Sequence, residues 1–357
     1  MKLGSTTRTL VVCCVGLTTA NVARAQERTR LFNPQPGMQF TTAFTNDFGR
    51  EADSLTTVTS INANAVTVDY SSSRGVSVRR DLLVADRQNA SAYVLGYEAG
   101  MPTVIPGTTS LGISAQILSE LQTNGRARLS FVYSPQLASI ECNLDRVSAN
   151  QMMSLIVKDR IIQISALHAR VECGTGARTA SVDFYFANDL NQPILIESVL
   201  NFSWEKRPRT ERITRVIDSL GLQPDMEQSL RTIGKYEAYG LRFDFDSDFL
   251  RPESLLLVRE IAQMLTTKGN SDWRLLIVGH TDSVGGPDYN IGLSDRRARA
   301  VRLALVNEGV APGRLVSEGR GEGQPKADND TLAGRAINRR VEFRRTDGFA
   351  SRPLDAQ

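Results

Sequence analysis

Trp273-Arg-Leu-Leu-Ile-Val-Gly279 leads into His280-Thr-Asp-Ser-Val-Gly285, and Asn290-Ile-Gly-Leu-Ser-Asp-Arg-Arg-Ala298 then opens a stretch reaching Glu308. The apolar first piece reads as a strand. The last reads as a helix, because Leu293, Arg297, Val301 and Leu305 recur at intervals of four. Arg297 thus lies in the stripe that otherwise faces the core, where a guanidinium needs an anionic partner or a route to a cleft. Asp282 follows the strand exit, in the loop that leads to this helix. Asp282 and Arg297 are therefore expected to face one small cavity. They offer an acceptor for an ammonium group and a planar fork for a carboxylate, the complement of a zwitterionic amino-acid head.

Outward from this unit, the last third alternates between strand and helix: a strand over Tyr236–Phe245, a helix opened by Pro252 and running to about Lys268, and strands near Leu315–Gly319 and Arg340–Arg345. Proline suits a first helical turn, where its missing N–H has no partner to lose. Helices covering a small mixed sheet, an α+β arrangement, is the expected layering. The blocks Phe243-Asp-Phe-Asp-Ser-Asp with Leu250 and Pro252, Gly279-His-Thr-Asp-Ser-Val-Gly, Asn290-Ile-Gly-Leu-Ser-Asp-Arg-Arg-Ala, Gly319-Arg-Gly-Glu and Asn338-Arg-Arg-Val-Glu occur in that order.

Across about residues 233–346 this pattern resembles the OmpA-like C-terminal domain, a peptidoglycan-binding module. The resemblance implies that Asp282 takes the ammonium and Arg297 the carboxylate of diaminopimelate in the stem peptide, with Asn290 holding loop and ligand. Arg339 and Asp246 would be secondary wall residues. Asp248-Phe249 departs from the family's usual small and polar residues. The simpler alternative is that Asp282 and Arg297 form a salt bridge that fixes the loop.

Upstream, residues 26–205 form a succession of short Val-, Ile-, Thr- and aromatic-containing segments separated by turn residues. Asn62-Ala-Asn64, Asn124-Gly125 and Gly174-Thr-Gly176 are examples. About ten antiparallel strands are expected, including Ile113–Leu121 and a hairpin around Lys158-Asp159-Arg160, arranged as an all-β sandwich or a curved open sheet. The scattered aromatics and irregular segment lengths do not suit an outer-membrane barrel, which stays as an alternative. Val182–Trp204 faintly resembles the curved half-barrels of periplasmic lipid or lipoprotein carriers. The partner of this region is accordingly open: an outer-membrane or periplasmic protein, or a lipid. Residues 206–232 read as a partly helical linker and 347–357 as a flexible tail.

Lys2 and Arg8 precede an uncharged run over Leu10–Ala20, and Ala23-Arg-Ala25 supplies the small residues of a cleavage site, so residues 1–25 read as a secretory signal. The run is about half of the ~20 apolar residues a spanning helix needs. Lys2, Arg8 and Arg24 account for the whole net charge of +3, which arises from 42 basic and 39 acidic residues. The remainder is neutral, and a nucleic-acid binder would need a basic surplus. Removal of Cys13 and Cys14 with the leader leaves Cys142 and Cys173, an even pair in an oxidising compartment, where a disulfide is expected. Periplasmic placement follows.

No catalytic set is legible. His280 lacks a nucleophile signature beside it and reads as a strand-end structural residue. Asp244, Asp246 and Asp248 begin like a calcium loop, but Phe249 and Leu255 stand where its glycine and glutamate belong. Gly319-Arg-Gly-Glu-Gly lacks dinucleotide spacing. The expectation is a wall-binding protein without enzyme activity, metal or cofactor.

Overall fold

The computed structural model describes residues 31–45, 50–96, 98–133, 136–175, 178–203, 205–217, 224–244 and 246–347. The leader expected over residues 1–25 and the tail beyond Asp347 lie outside them. Strands β1 (Gln39–Thr45), β2 (Glu51–Ile61), β3 (Ala65–Ser72) and β4 (Ser77–Leu83) come first, followed by helix α1 (Val84–Asn89). Short β5 (Ala92–Val94) and β6 (Thr108–Thr109) lead to helix α2 (Ala115–Asn124) and β7 (Arg126–Tyr133). Long β8 (Ala138–Val157) and β9 (Arg160–Thr175), then β10 (Arg178–Ala187), β11 (Leu195–Phe202) and β12 (Arg209–Ile217), complete the region.

All twelve strands belong to one sheet, in the order β4-β3-β2-β1-β12-β11-β10-β9-β8-β7-β5-β6. A two-sheet sandwich is therefore not the pairing found. One edge of β12 bonds β11 at Arg209–Arg212 and then β8, in parallel, at Arg215 and Val216. This second pairing closes β8 to β12 into a ring at that point, while the other edge of β12 bonds β1. Residues 209–217, expected within a linker, are thus a strand inside the sheet.

Local chemistry explains the turns. The Asn62 side chain accepts from the backbone N–H groups of Asn64 and Ala65 at 2.8 and 2.9 Å, which closes the β2–β3 hairpin. Lys158 and Asp159 have φ of 49° and 58°, the left-handed pair of a tight β8–β9 turn. The segment Ile113–Leu121, expected as a strand, forms helix α2 instead. Ser114 caps its first turn by accepting from Ile117 N–H at 3.3 Å, and Gly125 ends it at φ 73°. Asn-Gly here serves a helix end and not a hairpin. Ile117, Leu118 and Leu121 of α2 join Leu129, Phe131, Leu144, Leu167, Phe184 and Phe186 in a core that covers β7 to β10.

The β8–β9 register pairs Asp145 with Arg170. Cys142 of β8 and Cys173 of β9 each lie three residues beyond these partners, past the last pair of the two strands among the described residues. The Cys173 side chain is outside the described residues.

The C-terminal part begins with helix α3 (Pro224–Thr232) and strand β13 (Lys235–Ala238). The strand expected to reach Phe245 stops earlier, and a lone Phe243–Leu250 bridge closes the loop that follows. Helix α4 (Ser254–Thr266), β14 (Leu275–Gly279), helix α5 (Pro287–Asn307), β15 (Leu315–Gly319), helix α6 (Leu332–Asn338) and β16 (Val341–Arg345) complete it. The four strands form a mixed sheet in the order β13-β16-β14-β15, with β14 and β15 parallel. Val258, Ile261 and Leu265 of α4, Val301 and Leu305 of α5, and Ile277 and Phe343 of the sheet make its core.

The large sheet docks on this part. Ile156 of β8 clusters with Tyr239, Ala336 and Ile337. Asp159, at the hairpin tip, accepts from Tyr236 Oη at 3.3 Å and from the backbone of Tyr239 and Gly240. Burial pushes its carboxyl up from the ordinary value despite nearby Arg215.

Candidate ligand-binding site

Strand β14 delivers the site. Its last residue, Gly279, pairs with Gly319 of β15, and α5 crosses both at backbone contact. A Cβ on Gly279 would lie 2.2 Å from Ser294 O, and one on Gly319 would lie 2.4 Å from Asp295 N. Past Gly279 the chain enters the loop that bears Asp282. Gly285 and Gly286, at φ 103° and 85°, turn it into the first turn of α5. Asn290, buried in that turn, donates through Nδ2 to Asp282 O at 3.1 Å and to Glu322 Oε2 at 2.6 Å. Asn290 therefore clamps the loop.

Asp282 is 6% exposed. Its Oδ1 accepts from Val284 N–H at 3.0 Å, and its Oδ2 accepts from Arg339 Nη1 at 2.6 Å. A carboxylate offers about four acceptor positions, so it keeps room for further donors. The direct Asp282–Arg297 salt bridge of the simpler reading is not among the ion pairs of the described residues; Arg339 pairs with Asp282 instead. Burial opposes the Arg339 charge, but Glu51 and Asp282 hold its guanidinium above the ordinary value.

Arg297, on α5, donates through Nε to Ser247 O at 2.9 Å and lies 5.0 Å from the Phe243 ring centroid. Both partners come from the loop closed by the Phe243–Leu250 bridge. Among the described residues no hydrogen bond engages the Arg297 Nη groups. Burial and the neighbouring Arg339 push its pKa down to about 10, with Asp282 pulling the other way. It stays charged at neutral pH, yet its charge is poorly compensated. A carboxylate arriving at the Nη fork would supply the missing partner.

Asp246 sits at φ 55° in the same loop and accepts from Tyr289 Oη. Exposed Asp246 is thus tied to the first turn of α5, on the Arg297 side. His280 lies buried 3.4 Å from Glu342, and burial pushes its pKa down, which keeps it neutral at pH 7. It belongs to the strand end, as its sequence context suggested. Glu51, Arg335, Ser247 and Tyr289 escaped sequence reasoning. Ser247 stands inside a quoted block and Tyr289 and Arg335 within three residues of one, whereas Glu51 carries no local signal at all.

A sequence model of the OmpA family matches residues 242–339. Residues 242–339 are a domain of the OmpA family. Outer membrane porin F of Pseudomonas fluorescens is 45% identical over 102 residues, which cover 29% of this chain and 31% of that protein. The peptidoglycan-associated lipoprotein of Pseudomonas putida is 39% identical over 103 residues, 29% of this chain and 60% of that protein. Among solved structures, the peptidoglycan-associated lipoprotein from Burkholderia pseudomallei is 34% identical, covers 29% of this chain and 87% of that chain, and has a TM-score of 0.28. The chain thus spans about a third to three fifths of the length of these curated relatives, and the likeness lies in the OmpA-like domain.

Proposed function

We propose that the protein binds peptidoglycan non-covalently through its OmpA-like domain and tethers its β-rich region to the wall of the cell envelope. The observation that carries this reading is the Arg297 guanidinium, charged and half-buried, whose Nη groups lack an acceptor among the described residues beside the Asp282 carboxylate. An ammonium at Asp282 and a carboxylate at Arg297 would complete both, and the free head of diaminopimelate carries both groups. The relatives named for peptidoglycan or the outer membrane support the same compartment. In this reading the domain binds and does no chemistry.

The full chain should pellet with insoluble diaminopimelate-type peptidoglycan, and free meso-diaminopimelate should release it. The attraction is between local charges about a contact distance apart, so raising salt from 0.05 to about 0.3 M should weaken it only modestly. Absence of pelleting at low salt would remove the proposed function.

Cys142 and Cys173 form a disulfide between β8 and β9 in this reading, supported by their being an even pair once the leader with Cys13 and Cys14 is removed. Closing that loop stabilises by roughly 3 to 4 kcal/mol in the chain-entropy account. Alkylation of unreduced, unfolded protein should leave both cysteine peptides unlabelled in a mass map. Labelling of both would show the bridge to be absent.

A further inference from the structure

Strand β2 reaches the site from the other region of the chain. Glu51 and Asp53 are two apart on β2, so their side chains leave the same face. Each grips a different part of the OmpA-like domain. Glu51 Oε1 takes Arg339 Nη2 at 2.9 Å, and its Oε2 takes Arg335 Nε of α6 at 2.9 Å. Asp53 takes Arg242 Nη2 at 2.5 Å and Arg251 Nη1 at 3.0 Å. Arg242 and Arg251 form the two stems of the loop whose tip, Ser247, holds Arg297. One carboxylate therefore reaches the Asp282 side through Arg339, and the other reaches the Arg297 side through the loop. Arg242 and Arg251 hold the Asp53 carboxyl below its ordinary value although burial opposes them.

We infer that Glu51 and Asp53 are positioning residues that set the geometry of Asp282 and Arg297, so that the β-rich sheet tunes the recognition of a zwitterionic amino-acid head. The inference rests on the site reading given above. Glu51 has the sharper role. Arg339 meets Asp282 through Nη1 alone, because Nη2 is held by Glu51. Without that hold, the guanidinium is free to turn and present both nitrogens to Asp282, the preferred fork geometry. Such a fork would occupy the acceptor positions that an ammonium needs. Glu51 thus keeps Asp282 open, and Asp53 keeps the Arg297 side in register.

Pimelate is diaminopimelate without its amino groups, so the pair of ligands isolates the ammonium term. In the full chain, Glu51→Gln should weaken meso-diaminopimelate binding by about tenfold, the scale of one charge-assisted hydrogen bond, and leave pimelate unchanged in calorimetric titration. Glu51→Asp, which restores the charge, should recover part of the loss. Circular dichroism melts of both variants report whether they remain folded. Equal losses for both ligands, or an unchanged diaminopimelate affinity in folded Glu51→Gln, would overturn the inference while leaving the site reading intact. Failure of the wild-type chain to bind meso-diaminopimelate would instead overturn the site reading, and this inference with it.

Discussion

Arg297→Ala in the full chain is expected to abolish co-sedimentation with peptidoglycan under conditions where the wild type pellets, a loss of at least about thirtyfold in affinity. Truncating one member of a buried, hydrogen-bonded charge pair typically costs about 2 to 5 kcal/mol, and here the missing partner would be the ligand carboxylate. Folding should survive. Burial and Arg339 already disfavour the Arg297 charge, which is pushed down to about 10, so its removal relieves repulsion as it deletes the Ser247 hydrogen bond. Arg297→Lys should fall between the two, because an ammonium keeps the charge and loses the planar fork. Normal pelleting by a folded Arg297→Ala protein would exclude this guanidinium as the anchor.

Gly279→Ala is expected to lower stability by about 3 kcal/mol or more, beyond the usual cost of an overpacked methyl group. The added carbon would lie 2.2 Å from the Ser294 carbonyl oxygen, which is backbone and cannot rotate away. Relief requires α5 to lift from β14, and these two elements carry Arg297 and the Asp282 loop. Binding and thermal stability should therefore fall together. Gly313→Ala is the matching control: nothing lies within 4 Å of its added carbon, so a change within about 0.5 kcal/mol is expected. Equal melting temperatures for Gly279→Ala and wild type would refute the close crossing.

Particular residues show why some features were legible. Leu293, Arg297, Val301 and Leu305 follow helical spacing, and the helix found over Pro287–Asn307 buries the three apolar ones. The Lys158-Asp159 turn was legible because two apolar runs flank it closely. Asn124-Gly125 misled, since a left-handed glycine ends a helix as well as it turns a hairpin, and the deciding cap, Ser114, lies ten residues earlier. Residues 209–217 read as a linker because their alternating charged residues resemble a solvated segment. In the sheet Arg212 pairs with Glu197 and donates to Ser154 O at 2.7 Å, so charge there is compensated burial.

The sequence by itself determined the OmpA-like domain, its order of strand, loop and helix, and the nearness of Asp282 to Arg297. Those rest on local spacing, because a strand exit and the third turn of the next helix are brought together by short connections. The tertiary structure alone decided that β12 joins the large sheet through three neighbours, that Arg339 and not Arg297 pairs with Asp282, and that Glu51 and Asp53 grip the domain from β2. Ion pairs between residues hundreds of positions apart leave no period in the chain. They exist only where packing has brought the two surfaces together, and there low exposure strengthens charges that in a loose chain would face water.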